Sequence, residues 1–279
     1  MKTRIMKALP VVLNAMALLF VLCLRFPAFA QGSLTPPGPP APTMKSLDQV
    51  EPRTAITNLP VFINQSGSYY LTRSFEQVFT SDAVTITTNN VTLDLEGFTI
   101  HQTGGASVIT GIRIENAVNV PVKNVLVRNG TVTGFNASGI TCLGLRNCVF
   151  ERLVVTECSL SGINIQAFGT AAAVGNVVRH CRTCDNSQSG VVFISGAGNV
   201  ANVIEDCESL NNSTGFSLSA AGNLIIRCRA SGNAGNNYTI AIGNREGLIT
   251  LPATNASAIN GSSGGAGSGN TDPFGNLSY

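Results

Sequence analysis

The chain of 279 residues has no tryptophan and only two histidines, and just 11% of its residues are charged. Each shortage excludes something. No lysine or arginine cluster occurs anywhere, so the basic footprint that nucleic acid requires is missing and DNA or RNA is not an expected partner. Aromatics at 6% leave few stacking platforms for sugar rings. Few windows carry a 3.6-residue apolar period, which excludes a helix bundle. What is abundant is glycine, with 29 residues, together with asparagine, valine and isoleucine, a composition that suits strands cornered by turns.

The one long apolar run, Ala8 to Leu24, follows Lys2, Arg4 and Lys7 and precedes Ala28-Phe29-Ala30. Basic start, apolar stretch and A-x-A ending are the parts of a cleaved secretory leader. The run is short, is broken by Pro10 and Asn14, and is followed by Arg25, so it fits a leader better than a permanent membrane span. A lipoprotein reading at Cys23 is set aside because Leu22 is too bulky before it. An extracytoplasmic location is expected, either secreted or in the periplasm or cell envelope. Removing Lys2, Arg4, Lys7 and Arg25 from 17 basic groups leaves 13 against 15 acidic ones, so the mature chain is slightly acidic.

The organisation expected is a leader over residues 1–30, a proline-rich linker over 31–57, an N-terminal cap over 58–82, a repeat body over 83–251 and a Gly/Ser-rich tail over 252–279. Within the linker Met44, Leu47 and Val50 form one apolar stripe, read as a short docking helix that Pro52 would stop.

Inside the body Gly111, Gly139, Gly162, Gly190 and Gly215 each open a segment of the form Gly, apolar, any, apolar, at spacings of 28, 23, 28 and 25 residues. A fixed period of this length signals a solenoid. A second strand aligns on Cys181, Cys207 and Cys228, with Leu153 and Gly130 in the same column. Three residues upstream stand Val127, Phe150, Val178, Ile204 and Ile225. Two residues downstream the column tapers through Val132, Val155, Thr183, Ser209 and Ala230, and five downstream stand Asn186, Asn212 and Asn233. Asparagine tolerates left-handed corners and can bond its own kind up an axis. The expected fold is therefore all-β, a right-handed parallel β-helix (solenoid) of six to seven coils with an N-terminal cap, about 4.8 Å per coil.

SGSYYLTRSF followed by NNVTLDLEGFTI and then the GIxI and VIEDC repeats resembles the secreted bacterial right-handed β-helix proteins of the pectate-lyase-like superfamily. The resemblance covers most of residues 61 to 250 and speaks to fold; the superfamily holds lyases, hydrolases, epimerases and adhesins alike. Its hydrolases need paired carboxylates, and their Asn-Thr-Asp element has a match at Asn270, Thr271 and Asp272. That match lies beyond the Gly/Ser segment and lacks the accompanying Asp-Asp, Gly-His-Gly and Arg-x-Lys elements, so it is read as chance. Neither the calcium site of the lyases nor the Asp-Pro-His-Asp pattern of the epimerases is present. Asp94, in VTLDLEGF, resembles the first-coil motif and is read as structural.

The densest charge flanks the cysteine column: Glu151, Arg179 and Glu205 two residues before it, His180, Asp206 and Arg227 immediately before, and Arg182, Glu208 and Arg229 immediately after. Signs alternate along each column, which predicts pairing between stacked rungs. Arg179, His180, Arg182, Glu205, Asp206 and Glu208 form the first candidate patch; a catalytic Arg179, His180 or Glu205 stays open beside the structural reading. The second candidate is the outward face of the glycine strands, where Asn164, Gln166, Ser217 and Ser219 suit glycan or protein contact. His101, at a turn, is given no role. Of the seven cysteines of the mature chain, Cys181, Cys207 and Cys228 fall in one inward column and Cys142 in another, and core packing is the reading ahead of a rung-to-rung disulfide. Zinc is not expected, because Cys181 points inward and His180 outward, and no cofactor is called for. The reading is a monomeric scaffold contacting polysaccharide or a cell-surface partner without catalysis. Its rivals are a carbohydrate-active lyase, hydrolase or epimerase with an atypical site, and an adhesive surface protein.

Overall fold

The computed structural model describes residues 52–105, 107–194, 196, 198–250 and 273–278, and 259–261 as backbone. The leader, most of the linker with its Met44–Val50 stripe, and the Asn270–Asp272 match lie outside these residues. Among the described residues the chain is all-β, with no helix, and winds as a parallel β-solenoid.

Successive coils contribute to two large parallel sheets. The glycine strands form a nine-stranded sheet running from Val61–Ile63 through Ile112–Ile114, Ile140–Leu143, Ile163–Gln166, Ser189–Phe193 and Thr214–Leu218 to Ile259–Gly261. The second sheet, of 16 strands, has two arms. Strands Val125–Thr133 and Val149–Thr156 run through both arms, and below them each coil divides in two. Val177–Arg179, Val203–Glu205 and Leu224–Ile226 stack in the first arm, while Arg182–Cys184, Glu208–Leu210 and Arg229–Ser231 stack in the second. The register is the one the repeats predict: Val127 pairs with Phe150, which pairs with Val178, then Ile204, then Ile225.

Alternation turns every second side chain inward. Val84, Ile112, Ile140, Ile163, Val191, Phe216 and Tyr238 form one fully buried column and belong to the same apolar core as the buried column of the first arm. Each such side chain contributes on the order of 1.5–3 kcal/mol by leaving water. The glycines precede that column because the second arm comes too close for anything larger. A methyl at Gly215 would lie 3.1 Å from Ala230 Cβ, and one at Gly162 would lie 3.1 Å from Thr183 Cγ2 and 2.7 Å from the carbonyl of Gly190. The facing column shrinks to Thr183, Ser209 and Ala230 for the same reason, and its hydroxyls pair within the core: Thr183 Oγ1 lies 3.1 Å from Ser209 Oγ, which donates to the Gly215 carbonyl at 2.9 Å.

The solenoid makes about eight turns, slightly more than the glycine repeats indicate. Val61 and Val84 stand in register with Ile112, and Tyr238 with Phe216, but Pro60, Ala83 and Asn237 precede them in place of glycine. These coils carry the column without its marker.

Two asparagine ladders tie the coils along the axis. Asn186, Asn212 and Asn233 form the expected one, each Oδ1 accepting the backbone NH of the coil before it at 2.9–3.0 Å. The other, Asn176, Asn202, Asn223 and Asn244, lies at the start of the first arm with the same geometry. Beyond residue 250 the chain returns: Asn276–Ser278 is a strand lying between Arg229–Ser231 and Ile249–Thr250.

Candidate functional site

The corner between the two arms holds the charged residues. There Asn129, Arg152, His180, Asp206 and Arg227 stack, all left-handed, with φ of 52° at His180, 51° at Asp206 and 54° at Arg227. Asparagine is the residue this backbone tolerates best; histidine, aspartate and arginine hold it at a cost. The turn sends the three side chains outward while Cys181, Cys207 and Cys228 turn in.

The sign alternation becomes a ladder of ion pairs. Arg179 donates to Glu151 Oε2 at 2.6 and 2.9 Å, and Glu151 also takes Arg152 at 2.9 Å. His180 Nε2 lies 3.9 Å from Asp206 Oδ2. Arg227 grips Asp206 with two bonds of 2.7 and 2.8 Å and reaches Glu205 at 3.0 Å. Arg227 thereby holds the Asp206 carboxyl below the usual carboxylate range, and its own pKa rises in return. Glu208 stands in register between Arg182 and Arg229 and pairs with Arg182 at 3.4 Å. Exposed Arg229 has no carboxylate partner among the described residues.

An open groove of about 600 Å³ follows this corner over three coils. His180, Arg182, Asp206 and Glu208 of the candidate patch line it, joined by Arg227 and Arg229, with Gly275 and Leu277 of the returning tail at one end. Arg179 and Glu205 stand on the first arm beside the groove, held in their ion pairs, and do not line it. The tail residues carried no signal in the sequence, since no repeat period crosses the Gly/Ser segment.

The second candidate face lies on the glycine sheet. Asn164, Val192 and Ser217 are successive outward neighbours, with Gln166 beside Leu143. Asn164 Oδ1 is buried without a hydrogen-bond partner among the described residues, and exposed Ser219 borders a separate cleft lined by Asn199 and Val200. The two candidate sites do not converge.

Another polar cluster is centred on Asp94. Asp94, 3% exposed, accepts the Glu96 amide at 2.9 Å, Arg128 at 2.7 Å and Asn129 at 3.1 Å. Burial alone would push its carboxyl up, but these donors together carry it below the ordinary value. No group of three or more His, Cys, Asp and Glu side chains among the described residues has metal-holding geometry, and the seven described cysteines are free thiols.

No protein-family model matches the chain, and no curated protein matches it. Among solved structures, the chain is similar to the tailspike protein gp49 from Acinetobacter baumannii bacteriophage Fri1, a capsular polysaccharide depolymerase. Identity there is 11% and the TM-score 0.46, over 76% of this chain and 41% of that one. It is also similar to the Dettilon tailspike protein gp208 at 15% identity and a TM-score of 0.40, over 77% of this chain and 52% of that one. The chain thus spans about half the length of these structures or less.

Proposed function

We propose that the protein is a non-catalytic, extracytoplasmic β-solenoid whose corner groove contacts a polysaccharide bearing carboxylates. The observation that carries this reading is Arg229, exposed at the groove with no carboxylate partner among the described residues, one coil beyond the Arg182–Glu208 pair. An arginine fork suits a sugar carboxylate, and the coil spacing of about 4.8 Å is close to the length of a sugar residue along an extended chain. Asp206, held ionised by two bonds from Arg227, is placed to receive hydroxyl hydrogen bonds and is poorly placed to deliver a proton.

Affinity electrophoresis through gels containing polygalacturonate, alginate or a neutral glucan tests the reading. The native protein should be retarded by an acidic polymer and pass the glucan freely, and an Arg182→Ala/Arg229→Ala double variant should bind at least tenfold more weakly. Absence of retardation by every acidic polymer would sink the binding proposal. Unsaturated product absorbance or new reducing ends would instead establish a carbohydrate-active enzyme.

A further inference from the structure

The repeat predicts what should follow Cys228 in its column. Cys207 and Cys228 are 21 residues apart, and so are Cys228 and Ile249; likewise Ile204, Ile225 and Glu246 follow one another at 21. In the first arm this succession holds, since Ile225 pairs directly with Glu246. In the second arm it does not. Asn276–Ser278 has entered between Arg229–Ser231 and Ile249–Thr250, so that Leu277 pairs with Arg229 on one side and with Thr250 on the other. Over the three residues from Glu246 to Ile249 the chain has stepped out by one coil to make room.

The slot is specific for what fills it. Asn276, 1% exposed, accepts the Cys228 amide at 2.9 Å and donates to the carbonyls of Ile225 at 3.1 Å and Gly247 at 2.9 Å, so it bonds both walls at once. Ser278 Oγ accepts from Asn237 at 2.8 Å, and the buried Tyr238 hydroxyl lies 2.8 Å from both the Leu277 and the Cys228 carbonyl oxygens, with one hydrogen to share between them. Gly247 lies against the carbonyl of Phe274 so closely that a side chain there would collide with it. The segment enters after eleven residues, 262–272, dominated by glycine and serine, which when extended reach on the order of 36 Å.

We infer that the space between Arg229–Ser231 and Ile249–Thr250 is a peptide-binding slot for an extended strand that opens on a buried asparagine, and that the segment Pro273–Ser278 is its exchangeable occupant. Recognition is strand addition: main-chain bonds on both sides supply affinity, and the Asn276 amide supplies the choice of sequence. The repeat itself provides the alternative state, because with the occupant gone Ile249 is the residue whose spacing matches direct stacking on Cys228. A second copy of the chain carries the same segment on the same long tether and can supply it in trans.

The test uses the full chain with a protease recognition sequence inserted between Ser263 and Gly264. After cleavage the C-terminal fragment should co-elute with the body in gel filtration. A fluorescent peptide with the sequence DPFGNLSY, added in excess, should replace it, and the Asn276→Ala form of that peptide should compete at least tenfold more weakly. The body is identical in both competitions, so a folding defect does not enter. In the cleaved Gly247→Ala protein the fragment should leave while circular dichroism keeps its β signature. Immediate loss of the native fragment on cleavage, failure of excess peptide to exchange in, or equal competition by the alanine peptide would each overturn the inference.

Discussion

Gly190 faces Ser209 and Thr183 across the narrow side of the solenoid, and the carbonyl of Gly215 would stand 2.8 Å from any β-carbon placed on it. Both hydroxyl groups are already committed to each other, so neither yields without losing a core bond. Gly190→Ala should therefore destabilise by about 1–3 kcal/mol, the usual cost of forcing one methyl into a full core. Denaturant titration would show it as a lower midpoint at unchanged slope; a variant as stable as the parent would mean the two sheets can part at this point.

Asn202 sits in the middle of its ladder. It accepts the Asn176 amide and side-chain NH at 3.0 and 2.9 Å and donates to the Ala173 carbonyl and Asn223. Asn202→Ala leaves a buried amide of Asn176 without an acceptor, which costs on the order of 2 kcal/mol. Hydrogen exchange should locate the loss at residues 176, 202 and 223, with much less effect on the ladder through Asn186 and Asn212.

Thiol reactivity should follow burial. Burial pushes the Cys148 thiol up to about 11 and Cys158 to about 12, and raises Cys142, Cys181 and Cys207 well above the ordinary value. Cys184 is also raised but is half-buried, beside solvent. Thiolate is the reactive form, so brief alkylation of the native protein at pH 8 should mark Cys184 alone among the described cysteines. Peptide mapping that found Cys181 or Cys207 equally marked would contradict a closed core column.

Acid should loosen the corner in a defined direction. Asp206 and Asp94 both have folded-state carboxyl values below the ordinary ones. Each contributes stability that is fully present above the unfolded value near 4 and is lost as pH falls through the lowered folded value. Melting temperature should fall as pH drops below about 4. In Asp94→Asn that fall should be shallower, from a lower plateau at neutral pH. An unchanged slope would mean other carboxylates dominate the acid transition.

The second asparagine ladder shows where sequence reading stopped short. Asn186, Asn212 and Asn233 stand five residues after the column anchored on Cys181, Cys207 and Cys228; Asn176, Asn202 and Asn223 stand five before it. The signal is symmetrical about the cysteine column, and the expected ladder is only its downstream half. The glycine column was legible because close approach of two sheets admits no β-carbon there, so the residue type is dictated. Where Pro60, Ala83 and Asn237 take that position, coils escaped the count. Charge alternation announced the ion pairs of the corner, yet whether Glu205 pairs with Arg179 or Arg227 depends on side-chain reach that spacing does not encode. The groove's tail-lined end was invisible for a different reason: Asn276–Ser278 is three residues long and joins the repeat out of order.

That displaced strand has a bearing on how the protein is made. A chain emerging from the ribosome can wind every coil through Thr250 before residues 276–278 exist, so a strand made after those coils must enter an interior layer. Folding of this solenoid cannot run strictly from the first coil to the last. A chain terminated before Asn276 would lose an inner layer of its stack while keeping Ile249–Thr250, the strand on its far side.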